Sequence, residues 1–175
     1  MTRQALDAIG PYLDAANVDL KSFRDDFYKK ICKGRLQPVL DSITYMKEQN
    51  VWVEITTLII PGENDSEKEL NQISRFIAKV DRNIPWHVSR FHPDYQYTGP
   101  PATPLKTLRR AREIGMSNGL RYIYLGNVLE GCDTYCYNCK ELIIKRSYFT
   151  LETFRIREGR CPSCSAEIAG VWKRK

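Results

Sequence analysis

The sequence predicts an α/β layer or barrel over residues 1–127, followed by a small β appendage over 128–175. Three observations carry this. Apolar, branched runs alternate with capped amphipathic segments; three successive runs are polar on one face; and five of the six cysteines lie beyond residue 131. Alternation of strands and helices implies parallel crossovers.

Taken in order, strands are expected at Ala16 to Leu20, Val51 to Ile60, Ile84 to Phe91 and Leu120 to Leu125, where β-branched and aromatic residues concentrate. A first helix is expected over Gln4 to Ile9. Ser22 with Asp25 opens a short helix that Gly34 can close, and Val39, Ile43 and Met46 mark the apolar stripe of the next. Ser66 with Glu69 has the spacing of a capping box before Ile73, Phe76, Ile77 and Val80. Thr103 and Pro104 precede Leu105, Leu108, Ala111 and Ile114 at helical spacing, and Gly119 ends that helix.

A parallel strand covered on both faces reads as apolar throughout. These do not. Asn17, Asp19 and Lys21 share one face, as do Trp52, Glu54 and Thr56, and His87 and Ser89. Polar groups facing inward need partners, so the pattern points to an interior that holds a ligand. Long connections follow the strands at their C-terminal ends, where α/β folds place their sites. The one from His92 to Thr103 carries Pro93, Tyr95, Tyr97 and Pro100 and suits a substrate loop.

Cys136-x₂-Cys139 and Cys161-x₂-Cys164 are two knuckles 21 residues apart, with Leu142 to Ile144 and Phe149 to Ile156 available for a hairpin between them. Such pairs place four sulfurs around a tetrahedral Zn²⁺ closed to water, a structural site. Cys132-x₃-Cys136-x₂-Cys139 has the spacing of a [4Fe-4S] motif. A cluster there would take both ligands of the first knuckle and strand the second. Cys32, beside Ile31 on a helix, is expected to be a small buried hydrophobe.

Composition fits a folded domain, with 42% hydrophobic and 27% charged residues. The N-terminus lacks the apolar run of a signal peptide, and no stretch has the length of a membrane helix, so a cytoplasmic protein without membrane partners is expected. The net charge of +6 is concentrated in residues 140–175, which hold nine Lys/Arg against four Glu. A zinc-ribbon module for nucleic acid or protein could use Arg155, Arg157 and Arg160, with Tyr148 and Phe149 for stacking. That alternative leaves the polar strand faces unexplained, and solvated charge on a hairpin is the commoner cause of such an excess.

Ala16-Asn17-Val18-Asp19-Leu20-Lys21, the run from Val53 to Asp65 (VEITTLIIPGEND), Trp86 to Tyr95 (WHVSRFHPDY) and the tail from Tyr135 to Trp172 together resemble one family. It is the radical SAM enzyme of the AmmeMemoRadiSam system, related to pyruvate formate-lyase activating enzymes. The resemblance implies the C-terminal part of a partial (β/α)₆ TIM-like barrel, followed by a zinc ribbon. It further implies a full-length enzyme whose [4Fe-4S] cluster cleaves S-adenosylmethionine to a 5′-deoxyadenosyl radical that abstracts hydrogen from an unknown substrate. Asp19 and Lys21 are similar to the Asp-Leu-Lys strand lining the family's S-adenosylmethionine pocket, and His92 to the histidine beyond a later strand. The polar faces with Glu54, Thr56, His87 and Ser89 would supply the other contacts. The cluster cysteines and the glycine-rich motif of the second strand are missing, because the chain starts at what resembles the fourth barrel strand. The expectation is therefore a truncated protein, inactive alone, whose open first strand self-associates or meets a separate N-terminal half.

Overall fold

The computed structural model describes residues 1–147 and 150–172. Four strands, β1 (Ala15–Asp19), β2 (Trp52–Ile59), β3 (Trp86–Arg90) and β4 (Ile123–Gly126), form one open parallel sheet in the order β1-β2-β3-β4. Helix α1 (Arg3–Ile9) leads into β1. A short helix α2 (Asp25–Phe27), continued by a π-helical turn (Tyr28–Cys32), and then α3 (Gln37–Glu48) join β1 to β2. Helix α4 (Glu67–Val80) joins β2 to β3, and α5 (Leu105–Ser117) joins β3 to β4.

Strand periodicity decides the layering. Val53, Ile55 and Ile59 of β2, Trp86 and Val88 of β3, and Ile123 and Leu125 of β4 are buried in one cluster with Ile43, Met46, Leu70, Ile73, Ile77, Leu108, Ala111 and Ile114 of the helices. Helices α3, α4 and α5 therefore cover this face of the sheet. Helix α5 comes closest at Gly115, where an added Cβ would lie 2.6 Å from Ile123 Cδ1 and 2.9 Å from the Trp86 ring. Polar atoms inside this layer are satisfied: Trp86 Nε1 donates to Thr57 Oγ1 at 2.9 Å, and Thr57 Oγ1 donates to the Leu20 carbonyl at 2.9 Å.

Several caps differ from expectation. Ser66 accepts from Glu69 N at 3.3 Å, as a capping box requires. The Glu69 carboxylate, 3% exposed, does not reach back; it accepts from Ser22 Oγ, from Phe23 N at 3.0 Å and from Arg24 Nε at 3.0 Å, and so pins the loop after β1. Ser22 is thus a loop anchor, and the turn after it closes on Lys33 in the left-handed region (φ 54°) instead of on Gly34. The Thr103 hydroxyl binds the Ile59 carbonyl and Phe91 N, tying the loop after β3 to both neighbouring strands, and makes no cap on α5. Gly119, at φ 93°, ends α5 as expected.

Beyond Gly126 the chain forms a second, antiparallel sheet of β5 (Thr134–Tyr135), β6 (Leu142–Ser147) and β7 (Thr150–Phe154). Its core joins Ile143, Ile144, Ile156 and Ile168 with Cys136, Cys161 and, from just before β4, Tyr122. Arg121 stacks on the Tyr137 ring at 3.7 Å, a second clamp between the two sheets. Among the described residues no helix is long and apolar enough to cross a membrane.

Candidate metal centre and the polar face of the sheet

The two Cys-x₂-Cys segments adopt the same local fold. In each, the amide of the residue after the second cysteine bonds the carbonyl of the first: Lys140 N to Cys136 O, and Ser165 N to Cys161 O, both at 3.0 Å. Those residues, Lys140 (φ 65°) and Ser165 (φ 58°), are left-handed. Each first cysteine N–H then donates one residue further on, to Glu141 O at 2.8 Å and Ala166 O at 2.9 Å. The amides of Glu141 and Ala166 return to the sulfurs of Cys139 and Cys164. The Ala166 amide and the Asn138 side chain lower the Cys164 thiol, while against the Glu141 amide burial and the three neighbouring cysteines push Cys139 up, as expected of four thiols that share their protons.

All four sulfurs lie within 4.8 Å of one another, with Cys136 to Cys164 and Cys139 to Cys161 each at 3.6 Å. Tetrahedral Zn–S bonds of about 2.3 Å imply sulfur separations of roughly 3.8 Å, so the set fits a single tetrahedral ion. A four-iron cluster takes its thiolates on four different irons and needs them spread further apart. Cys132 stands outside the group, its thiol donating to Arg146 O at 3.3 Å. A [4Fe-4S] cluster does not fit the residues present. Cys32 is exposed, which corrects the expectation of a buried side chain. Partial desolvation pushes its thiol up, and the thiol is close enough to Lys21 and Asp19 to feel both charges.

The other face of the parallel sheet carries the polar residues in register. Asn17 pairs with Glu54 and Asp19 with Thr56; Thr56, His87 and Tyr124 then form one row, and Ser89 sits beside Gly126. Thr56 Oγ1 donates to Asn17 Oδ1 at 2.9 Å, and Lys21 Nζ meets Asp19 Oδ1 at 3.1 Å. Glu54 accepts from Trp52 Nε1 at 3.0 Å and bonds His87 Nε2 at 2.7 Å. That bond from His87 holds the Glu54 carboxyl below the usual carboxylate range against the opposing effect of burial. Tyr124 stacks on His87 with ring centroids 5.4 Å apart and bonds Thr134 Oγ1 at 2.9 Å; burial pushes its phenol up.

The seven residues picked from sequence are spread along this face and just beyond it. Glu54 and His87 line a cavity of ≈ 780 Å³ between this face and the ribbon. Asp19 and Thr56 share a row with His87 on the same face, Ser89 and Lys21 lie further toward the C-terminal strand ends, and His92 is exposed beyond β3. Near them Tyr28, on the π-helical turn, accepts from Lys21 N at 3.0 Å, and burial pushes its phenol up to about 12. In the loop after β3, Tyr97 packs edge-on against Phe91 at 5.8 Å while Tyr95 is 86% exposed. Sequence reasoning missed Tyr124 and Arg146, which close the cavity. The period of β4 put Tyr122 and Tyr124 on the polar face and could have revealed the first, whereas Arg146 comes from the ribbon and had no local signal.

Of the three arginines that suggested nucleic acid, Arg155 pairs with Glu141 at 2.6 Å and Arg160 Nη1 donates to Ser165 O at 3.1 Å. Beside them, Lys145 pairs with Glu152 at 2.8 Å, and Arg146 Nη1 donates to Cys132 O and Thr134 Oγ1. Tyr148 and Phe149 lie outside the described residues.

No protein-family model matches the chain. An uncharacterized protein of Methanocaldococcus jannaschii is 43% identical over 161 residues, which cover 89% of this chain and 48% of that protein; the chain spans about half the length of the curated relative it matches. Among solved structures, a domain of a pyruvate-formate lyase-activating enzyme from Bacteroides vulgatus matches with a TM-score of 0.64 at 18% identity, covering 72% of this chain and 75% of that one. Over that share of its length the chain therefore has the fold of a domain of an activating enzyme.

Proposed function

We propose that this chain is the C-terminal portion of a radical SAM enzyme of the AmmeMemoRadiSam, activating-enzyme-like kind, in which the polar sheet face helps to hold S-adenosylmethionine and the four cysteines hold a structural zinc. The observation that carries the reading is the polar face itself. A parallel sheet with helices on one side presents Asp19, Lys21, Thr56 and Ser89 on the other, in a fold shared with a domain of an activating enzyme. The open outer edge of β1 and the doubled length of the Methanocaldococcus relative agree with a barrel completed by further chain, either covalently continuous or a separate N-terminal half.

In this reading the Asp19 carboxylate meets the amino group of S-adenosylmethionine, while Lys21 and His92 meet its carboxylate or ribose oxygens, each by a charge-assisted bond. The [4Fe-4S] cluster that supplies the electron for cleavage has no ligand set here, since Cys136 and Cys139 belong to the four-sulfur group. The chain alone therefore produces no 5′-deoxyadenosine after iron–sulfur reconstitution, and robust production would overturn the proposal. Calorimetric titration with S-adenosylmethionine tests the pocket: Asp19→Asn should weaken binding about tenfold, about 1.4 kcal/mol, and unchanged affinity would remove Asp19 from it.

A further inference from the structure

A second cavity, of ≈ 810 Å³, opens at the C-terminal ends of β3 and β4, and none of its lining residues belongs to the set assigned to S-adenosylmethionine. We infer that it binds a small carboxylic acid with an apolar tail, the carboxylate on the Arg90 guanidinium and the tail along Leu105, Leu125, Val128 and Leu129. The volume is in the range of small-molecule sites, and the C-terminal ends of parallel strands are where α/β folds place their ligands.

One wall is a closed turn over residues 127–131, pinned to three elements. Leu125 N donates to Gly131 O at 3.0 Å, which ties the turn to β4. Asn127, left-handed at φ 59°, donates through Nδ2 to Arg90 O at 3.1 Å and so ties it to β3. Arg109 of α5 grips Glu130 through Nε at 2.8 Å and Nη2 at 2.7 Å. The wall is therefore formed before any ligand arrives. It carries Leu129, 76% exposed, along the cavity, where an apolar tail laid against it removes that surface from water.

Arg90 supplies the charge. It is the last residue of β3 and, two residues on from Val88, shares that residue's side of the sheet, opposite the row of Asp19, Thr56 and His87. Its Nε donates to Thr103 O at 3.0 Å, and Thr103 is itself held by Ile59 O and Phe91 N. That bond sets the plane of the guanidinium, while Nη1 and Nη2 have no partner among the described residues. Two N–H donors side by side in a fixed plane match the two oxygens of a carboxylate. The other charged group on the cavity wall is Glu130, which the paired bond from Arg109 holds below the usual carboxylate range and neutralises. One unpaired cation thus balances one negative charge. A phosphate monoester carries about −1.5 to −2 at neutral pH and would leave charge uncompensated beside Glu130.

The test is calorimetric titration of the chain with octanoate, octanamide and octyl phosphate. Octanoate should bind with a Kd below about 1 mM. Octanamide, which keeps the tail and loses the charge, should bind at least about tenfold more weakly. Arg90→Gln should weaken octanoate about tenfold and leave octanamide and the circular dichroism spectrum unchanged, whereas Leu129→Asn should weaken both ligands. The inference is overturned if octanoate does not bind at about 1 mM, if octanamide equals it, if octyl phosphate binds more tightly, or if either variant keeps full octanoate affinity. The comparison among the three ligands needs no variant, so it decides the matter even if Arg90→Gln fails to fold. Asp19→Asn should leave octanoate binding intact, and its loss there would overturn the placement; the site and the S-adenosylmethionine pocket therefore stand or fall separately.

Discussion

Removing the metal from the four-cysteine group should unfold the ribbon and leave the parallel sheet standing. The ribbon core contains five buried apolar or aromatic side chains, Tyr122, Ile143, Ile144, Ile156 and Ile168. At about 1.5–3 kcal/mol each they contribute roughly 10 kcal/mol. A structural zinc on these sulfurs would contribute roughly 10–16 kcal/mol, so the ion would carry about half of what holds this unit together. The sheet has its own cluster of twenty buried residues, in which no ribbon residue takes part. Chelation, or Cys161→Ser, should therefore abolish amide protection in residues 134–168 while β2, β3 and α4 keep theirs, as read by hydrogen exchange with mass spectrometry. Elemental analysis should find one zinc per chain beforehand. Full ribbon protection after verified metal removal would refute the reasoning, and so would loss of protection across both units together.

Three further outcomes follow from the packing. Glu69→Ala leaves the Ser22 hydroxyl and Phe23 N–H without their acceptor, and should cost about 3 kcal/mol in urea unfolding, at about 1–3 kcal/mol for each stranded group. Gly115→Ala gains about 1 kcal/mol of helix propensity, but pushes a methyl within 3 Å of Trp86 and Ile123 at an overpacking cost of about 1–3 kcal/mol; net destabilisation in thermal melts is expected. Glu54 has a depressed folded-state pKa, so its contribution is full above the unfolded value of about 4.3 and fades as pH falls through the lower folded value. In Glu54→Gln that part of the acid dependence should vanish from unfolding curves between about pH 5 and 3.

Much of this was legible because local chemistry and global packing agree. Branched runs gave four strands to within two or three residues at each end, and Ile43, Met46, Ile73, Ile77, Leu108 and Ile114 are buried where the 3.6-residue period placed them. The cysteine knuckles were readable because spacing alone brings two sulfurs together within each. Long-range partners were not readable. Glu69 had the spacing of a capping box, but a loop 46 residues away captured its carboxylate. Thr103 likewise left its helix for Ile59 and Phe91. Strand β5 is only two residues long and exists through pairing with β6, leaving no periodic signal. The polar face could be drawn strand by strand, whereas its division into an open C-terminal part and a cavity under the ribbon depends on how the tail docks on Tyr122 and Tyr124.

The central claim is that the polar face holds S-adenosylmethionine, and the most direct measurement is an amide chemical-shift map of the chain titrated with it. The expected result is saturable shifts clustered at Asp19, Lys21, Thr56, Ser89 and His92, lost in Asp19→Asn. Shifts confined to the ribbon, or none at any concentration, would contradict it.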